Sequence, residues 1–325
     1  MRQTRAQTKR RTRVNKVARK RRGQAISGWL ALDKPLGLTS TQALGKARRF
    51  LDAAKAGHGG TLDPLATGIL PIAFGEATKT VSFAMDAAKT YRFDVLWGAA
   101  TSTDDLEGEI IARSDVRPET ADIDAALDGF TGHIEQIPPR FSAIKVDGQR
   151  AYDLARANQE VELKPRTVRI DRFAREDVDL GPDRARFEVD CGKGTYIRAL
   201  VRDLAVALGT HGHITALRRT RCGPFDEKVA ISLDKLEALG HKAAGSGVLL
   251  PVATVLDDIP ALALTEEEAR RMSHGQSVSL FAVANRTPIS GLTPGVVVQA
   301  VCGDRLIAVA TVADGLVKPV RVLNI

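Results

Sequence analysis

Cysteine is scarce in this 325-residue chain: Cys191, Cys222 and Cys302 lie far apart, and no Cys-x-x-Cys pair exists. That disfavours a disulfide framework and a structural zinc site, and a reducing cytoplasm is the expected setting. Long apolar runs are also missing. The longest mostly apolar stretch, Gly247 to Leu256, is interrupted by Pro251 and falls short of the roughly 20 residues that span a bilayer, so no membrane segment is expected. Acidic residues are absent from positions 1–26. The same segment lacks the apolar region of a secretory signal and has almost no large apolar side chain to bury, so it reads as a disordered tail. His211 and His213 form a pair without further ligands at matching spacing, so no metal site is expected.

What is present is an ordinary globular composition, 44% hydrophobic and 26% charged, in a chain long enough for two domains. The net charge of +8 is unevenly placed. Eleven of the 47 Lys and Arg residues fall in positions 1–26, which leaves 36 basic residues against 39 acidic ones in the body. By charge the tail fits an RNA-contacting arm that neutralises phosphates. A transit peptide and a non-specific solvated extension are the alternatives.

Apolar spacing predicts a strand over 27–33 and a basic helix capped by Ser40, then a Gly-rich loop over 57–68. Further strands are expected at 69–74 and 90–98, with a helix at 78–88 and another at 119–128. Paired strands follow at 168–178 and 185–191, then a helix from Tyr196 to Leu208 and several short strands to residue 230. Residues 257–260 read as a linker. Beyond it Thr265 and Glu268 form a capping box, and strands are expected at 277–281, 295–301, 305–312 and 317–323. Without regular βαβ alternation, the fold class is α+β. The domain reading is a tail at 1–26, a body at 27–257 and a small β-rich domain at 258–325.

The loop Gly57-His58-Gly59-Gly60-Thr61-Leu62-Asp63-Pro64 is the most informative segment. Its glycines allow positive φ and close approach to a ligand. A phosphate-cradling loop would need Gly-Lys-Ser/Thr opening a helix, and that order is absent. The other reading presents Asp63 into a cleft, although an Asp before Pro ordinarily forms an Asx turn.

Gly57 to Gly68 resembles the catalytic motif of the bacterial tRNA pseudouridine-55 synthases, the TruB family. Leu32 to Ser40 is similar to that family's first motif, and Lys89-Thr90-Tyr91 to its tyrosine motif. Pro138 through Arg156 resembles an RNA-gripping insertion, placed at about 136–165. Lys193-Gly194-Thr195-Tyr196-Ile197-Arg198 resembles the arginine motif, and Leu217-Arg218-Arg219 the segment after it. The motifs run in family order across residues 28–230.

The resemblance implies a mixed-sheet synthase core and a chemistry without cofactor or metal. The N-glycosidic bond of a uridine breaks, the base turns, and it rejoins through carbon. Asp63 matches the catalytic carboxylate, as nucleophile or stabiliser of the sugar. Arg198 matches the arginine that favours its ionised form, and Asp105 an aspartate that helps hold Arg198. Tyr91 matches the tyrosine that stacks on the target base and moves a proton. Tyr196 and Leu217 match base-pocket residues, and His58 the histidine that aids base flipping. Lys34, in the first motif, is assigned to substrate binding. By pattern alone Tyr91, Tyr196 and Leu217 would be packing residues. The terminal domain resembles the small RNA-binding fold of pseudouridine synthases and archaeosine transglycosylases (PUA) by position and β-rich pattern.

The implied partner is the T-arm stem-loop of tRNA, taken up without guide RNA by a monomer. Three rivals differ in observable ways. A guide-dependent synthase would need its RNA, an RNA-folding protein would work without turnover, and a glycoside-type hydrolase would release free base. For the tail, removing residues 1–26 is expected to weaken tRNA binding and flatten its salt dependence while leaving the chemical step intact; an unchanged slope of log K against log salt would exclude the tail from tRNA contact.

Overall fold

The computed structural model describes residues 23–142, 145–146, 149–150, 163–287 and 291–325. Residues 1–22 of the tail, and most of the insertion expected at 136–165, lie outside the described residues. Residues 23–26, read as tail from sequence, belong to the folded body. The Gln24 amide donates to the Asp52 carbonyl at 2.5 Å, and Ala54 N donates to the Gln24 carbonyl at 2.9 Å. A truncation that spares the fold therefore stops at residue 22.

A ten-stranded mixed sheet forms the body. Its elements are β1 (Gly28–Lys34), α1 (Ser40–Phe50), β2 (Ala56–His58), β3 (Ala66–Phe74), α2 (Val81–Asp86), β4 (Lys89–Trp97), the small pair β5 (Ala99–Thr101) and β6 (Ile110–Arg113), α3 (Thr120–Leu127) and β7 (Gly132–Gln136). A second short pair, β8 (Lys145–Val146) and β9 (Gln149–Arg150), precedes β10 (Arg166–Glu176), β11 (Arg184–Cys191), α4 (Ile197–Ala207), β12 (Gly212–Cys222), β13 (Phe225–Asp226), β14 (Ile231–Ser232) and α5 (Leu233–Leu239). The strand order is β14-β1-β3-β12-β4-β11-β10-β7, with β2 on β3 and β13 on β12.

The short strands expected before residue 230 are largely one long strand, β12, at the sheet centre. It runs parallel to β3 and antiparallel to β4. Its alternation is broken by Leu217-Arg218-Arg219-Thr220-Arg221, which conceals a strand in a polar run. This placement matters: Gly68 of β3, Arg219 of β12 and Tyr91 of β4 stand in one row across the three strands.

One face of the sheet is covered by α4, whose Leu200, Val201, Leu204 and Ala205 pack on Phe93, Trp97 and Phe187. The Phe93 and Phe187 rings stack at 5.6 Å. A separate core joins α1 and α5 to β1 and β3 through Leu30, Ala43, Ala47, Leu70 and Leu236. The cap of α1 is Thr39, not Ser40. Thr39 and Gln42 form the reciprocal box, and Ser40 is buried with its hydroxyl on the Leu62 backbone.

The C-terminal sheet has the order β15-β17-β18-β19-β16, built from β15 (Ala261–Ala263), β16 (Val278–Ser279), β17 (Val297–Cys302), β18 (Arg305–Ala313) and β19 (Leu316–Val322). The Thr265–Glu268 box caps α6 (Glu266–Ser273) as expected. The strand expected over 277–281 is only two residues long and leads into α7 (Leu280–Ala284), where Val283 is buried while Phe281 faces solvent. The expected linker at 257–260 is tied down: Gln299 donates to the Leu256 and Ile259 carbonyls. Leu306, Val309 and Leu323 share a core with Trp29, Phe225, Val252 and Leu256. The α+β class holds.

Gly68 is the tightest point of the central row. Its φ is +98°, and a Cβ there would meet the Arg219 carbonyl oxygen at 2.2 Å. Gly68→Ala is expected to lower stability by more than about 1 kcal/mol, read as a lower urea midpoint at unchanged slope.

Candidate active site

The loop between β2 and β3 is held by its backbone. Gly59 N donates to the Pro71 carbonyl at 2.8 Å, and Gly37 N donates to the Pro64 carbonyl at 2.9 Å. The Ser40 hydroxyl accepts from Leu62 N at 2.7 Å and donates to the Leu62 carbonyl at 3.0 Å. Lys34 Nζ donates to the carbonyls of Leu38, Pro35 and, at 3.4 Å, Pro64. Arg219 donates from Nε to the Ile69 carbonyl at 2.7 Å and lies 3.4–3.5 Å from the Thr61 and Gly60 carbonyls. With the main chain satisfied from beneath, the Asp63 side chain is left outside, 45% exposed.

Asp63 meets one cation at close range. Arg198 Nη2 lies 2.8 Å from Asp63 Oδ2 and is itself only 6% exposed. Arg198 sits in the first turn of α4, where the helix dipole disfavours a positive charge. It is compensated by Asp63, by Asp105 at 3.7 Å, and by the carbonyls of Thr103 and Phe141 at 3.0 and 2.9 Å. Asp105 is fixed in turn by the Thr103 hydroxyl and Glu107 N.

Two large cavities meet at Asp63, with a very small one between Leu65, Ile214 and Leu217. One, of about 550 Å³, is lined by Asp63, Tyr91, Tyr196, Arg198, Leu217 and Arg219, among others. The other, of about 860 Å³, is lined by Ser40, Asp63, Asp105, Phe141, Ser142 and Arg198, with others. Burial pushes the Tyr91 phenol up to about 12, so it holds its proton at neutral pH. Burial also raises Tyr196.

The first cavity thus brings together Asp63, Tyr91, Arg198, Tyr196 and Leu217 from four separate motifs. Asp105 lines the second and contacts Arg198. Lys34 and His58 line neither. Lys34 is fully buried beneath the loop, which places it as a support for Pro64. His58 Nδ1 is buried on β2 without a hydrogen-bond partner among the described residues, and burial lowers its pKa, with the Arg219 charge acting in the same direction. Two residues escaped the sequence reading of the site. Gln136, 1% exposed, clamps the Tyr196 backbone from both ends of its amide at 2.8 and 3.0 Å; a lone Gln at a strand end gives no signal. Arg219, quoted only as part of a motif, turns inward. Among the described residues no group of three or more His, Cys, Asp or Glu could hold a metal ion.

Burial lowers the Lys34 pKa to about 8, although the Asp63 charge pulls the other way. The unfolded chain keeps that proton to about pH 10.4, so between these limits the unfolded state binds more protons and stability rises with pH. The Lys34→Met protein lacks this contribution. Urea unfolding at pH 7, 8.5 and 10 is expected to show the wild type gaining on the variant as pH rises; parallel pH curves would remove the buried charge from the account.

Comparison with known proteins gives the family. Residues 48–197 match the N-terminal domain model of the TruB family pseudouridylate synthases, and residues 198–257 match the tRNA pseudouridylate synthase B C-terminal domain. A tRNA pseudouridine synthase B of Rhodospirillum rubrum is 56% identical over 309 residues, covering 95% of this chain and all of that protein. The one from Caulobacter vibrioides is 54% identical over 311 residues, with 95% and 100% covered. Among solved structures, an archaeal box H/ACA sRNP Nop10–Cbf5 complex superposes with a TM-score of 0.69 at 25% identity, covering 92% of this chain and 86% of that one. By these matches, and by the motifs its central strands bring to one cavity, the chain belongs to the TruB family of pseudouridylate synthases.

Proposed function

We propose that this protein is a stand-alone tRNA pseudouridine synthase that flips the uridine at position 55 out of the T-arm loop and isomerises it, with Asp63 as the catalytic carboxylate. One observation carries the reading: an exposed carboxylate is held at 2.8 Å by a buried arginine at the mouth of a cavity walled by Tyr91, Tyr196 and Leu217. A cavity of about 550 Å³ is ample for one flipped nucleoside. The names of the bacterial relatives support tRNA as the substrate.

In this reading the target nucleotide leaves its stack at a cost of about a few kcal/mol and stacks on Tyr91. Asp63 acts at the sugar C1′ as the C1′–N1 bond breaks, either as nucleophile or by stabilising the cationic sugar. Arg198, 2.8 Å away, holds Asp63 aimed at the cavity. Leu217 and Tyr196 confine the freed base so that it turns without escaping. C5 then bonds to C1′, and its proton is lost. Nothing is oxidised or reduced, so this chemistry needs no cofactor. His58 is assigned to base flipping from its place at the start of the loop, and Lys34 to supporting that loop. Residues 258–325 are read as a PUA-like unit for a distant part of the tRNA. The protein is read as a cytoplasmic monomer; among the described residues no helix is long and apolar enough to cross a membrane.

Release of tritium from C5 of uridine in unmodified tRNA, without guide RNA, tests the reading. Wild type is expected to release it and Asp63→Asn to lose turnover by at least about a hundredfold, with tRNA affinity largely kept. Turnover by Asp63→Asn would remove the carboxylate from its role. Activity only with added guide RNA would replace the stand-alone enzyme by a guided one, and free uracil as product would mark a hydrolase.

A further inference from the structure

Arg219 is 1% exposed and has no carboxylate within ion-pair distance among the described residues. A buried cation in that condition is costly unless something compensates it. Its firm bond is from Nε to the Ile69 carbonyl at 2.7 Å. The rest of the guanidinium is loosely held. Nη1 lies 3.5 Å from the Tyr91 hydroxyl and 3.4 Å from the Thr61 carbonyl, and Nη2 lies 3.5 Å from the Gly60 carbonyl. A guanidinium has five N–H donors in a rigid fork, so this one keeps donor capacity in reserve, and the reserve lies beside Tyr91. The backbone brings the pair together: Arg219 and Tyr91 are register partners on β12 and β4. Gly68, on the other side of Arg219, has no side chain to fill the space.

We propose that Arg219 is a positioning residue for Tyr91, holding its phenol oxygen at the cavity wall and supplying the positive charge that oxygen needs once its proton has moved. The proposal rests on the isomerase reading above. When the C1′–N1 bond breaks, its electron pair leaves with N1 and the uracil becomes an anion. The Tyr91 hydroxyl gives its proton to N1, which leaves the negative charge on the Tyr91 oxygen beside Arg219. C5 then bonds to C1′; where Asp63 had bonded that carbon as N1 left, the Asp63–C1′ bond breaks with its electron pair returning to the carboxylate, and where it only faced the cationic sugar it is a carboxylate throughout. The proton on C5 passes to the Tyr91 oxygen, which regenerates the phenol. The product carries a hydrogen on N1 and none on C5, so the atoms balance with no further reactant. Burial makes the loss of the Tyr91 proton difficult, and a fixed cation at the oxygen opposes that difficulty where the negative charge develops. Lys89, whose Nζ is bonded to the carbonyls that close α2, and the buried thiols of Cys191 and Cys222 complete the surroundings of the pair.

The test measures kcat, KM and tRNA affinity for Arg219→Met, Arg219→Lys, Tyr91→Phe and the Arg219→Met/Tyr91→Phe double variant, in H2O and in D2O, where the Tyr91 hydroxyl carries deuterium. Arg219→Met is expected to lose about a hundredfold or more in kcat, the range of a proton-transfer contribution. Its tRNA affinity should stay within about threefold, and its solvent deuterium effect on kcat should exceed that of wild type, because the step slowed is the passage of the Tyr91 proton to N1. Arg219→Lys, which keeps the charge, should recover at least about tenfold of that loss. The double variant should be no slower than Tyr91→Phe, because the two act as a unit. Where Arg219→Met fails to fold, Arg219→Gln replaces it with the same expected results. Multiplying losses in the double variant, an unchanged isotope effect, or a lysine variant no better than methionine would each overturn the proposal. If Tyr91→Phe keeps full kcat, the Tyr91 assignment falls and the proposal with it. If Tyr91→Phe is slow while Arg219→Met is unimpaired, only the proposal falls.

Discussion

The constraint on which the rest of the structure turns is a positive charge buried at the start of a helix. Arg198 is nearly inaccessible, lies at the end of α4 where cations are disfavoured, and must be neutralised locally. Three separated stretches of chain do this, around Asp63, Asp105 and Phe141. Each brings a wall of the site with it: the Gly-rich loop, the turn after β5 and the segment after β7. A buried ion pair of this kind contributes little net stability, but removing either partner leaves an uncompensated charge. The arrangement therefore favours one geometry over its alternatives more than it adds strength.

The loop carrying Asp63 is rigid for a second reason. Ser40, Lys34 and Arg219 reach it from three different elements: Ser40 bonds the Leu62 main chain, and Lys34 and Arg219 bring positive charge to within 3.4–3.5 Å of the Pro64, Thr61 and Gly60 carbonyls. None of the three binds the Asp63 carboxylate, which is left to Arg198 and to whatever enters the cavities. Two of these supports are cations without carboxylate partners among the described residues, and Lys89 is a third such cation near the same cavity. The floor of the site is consequently electropositive, which suits a reaction that places negative charge on a departing base.

The sequence was most legible where chemistry and backbone demands coincide. Gly57 to Gly68 combines turn glycines with an acid, and the helix after Tyr196 shows its apolar face plainly; the helix stands where expected, while the ends of the expected loop belong to β2 and β3. Ser40 was misassigned because a hydroxyl before a helix resembles a cap; its true partner, Leu62, is 22 residues away. The strand β12 was hidden because buried Arg219 breaks the alternation that marks a half-buried strand. Gln136 was invisible for a related reason: its value lies in the backbone of Tyr196, 60 residues on. Long-range polar contacts leave no periodic trace, whereas apolar faces do.

The apolar seam between the two sheets has a consequence for how the molecule is assembled. Leu306, Val309 and Leu323 cover Trp29 and Phe225, while Glu76 accepts from Asn324 N and Lys79 donates to the Val322 carbonyl. The chain around β19 thus closes a core begun by β1. A nascent chain carries that face uncovered until β19 has been made, so the catalytic half reaches its full stability only once β19 is free to pack. Any RNA spanning both sheets meets them at one set spacing.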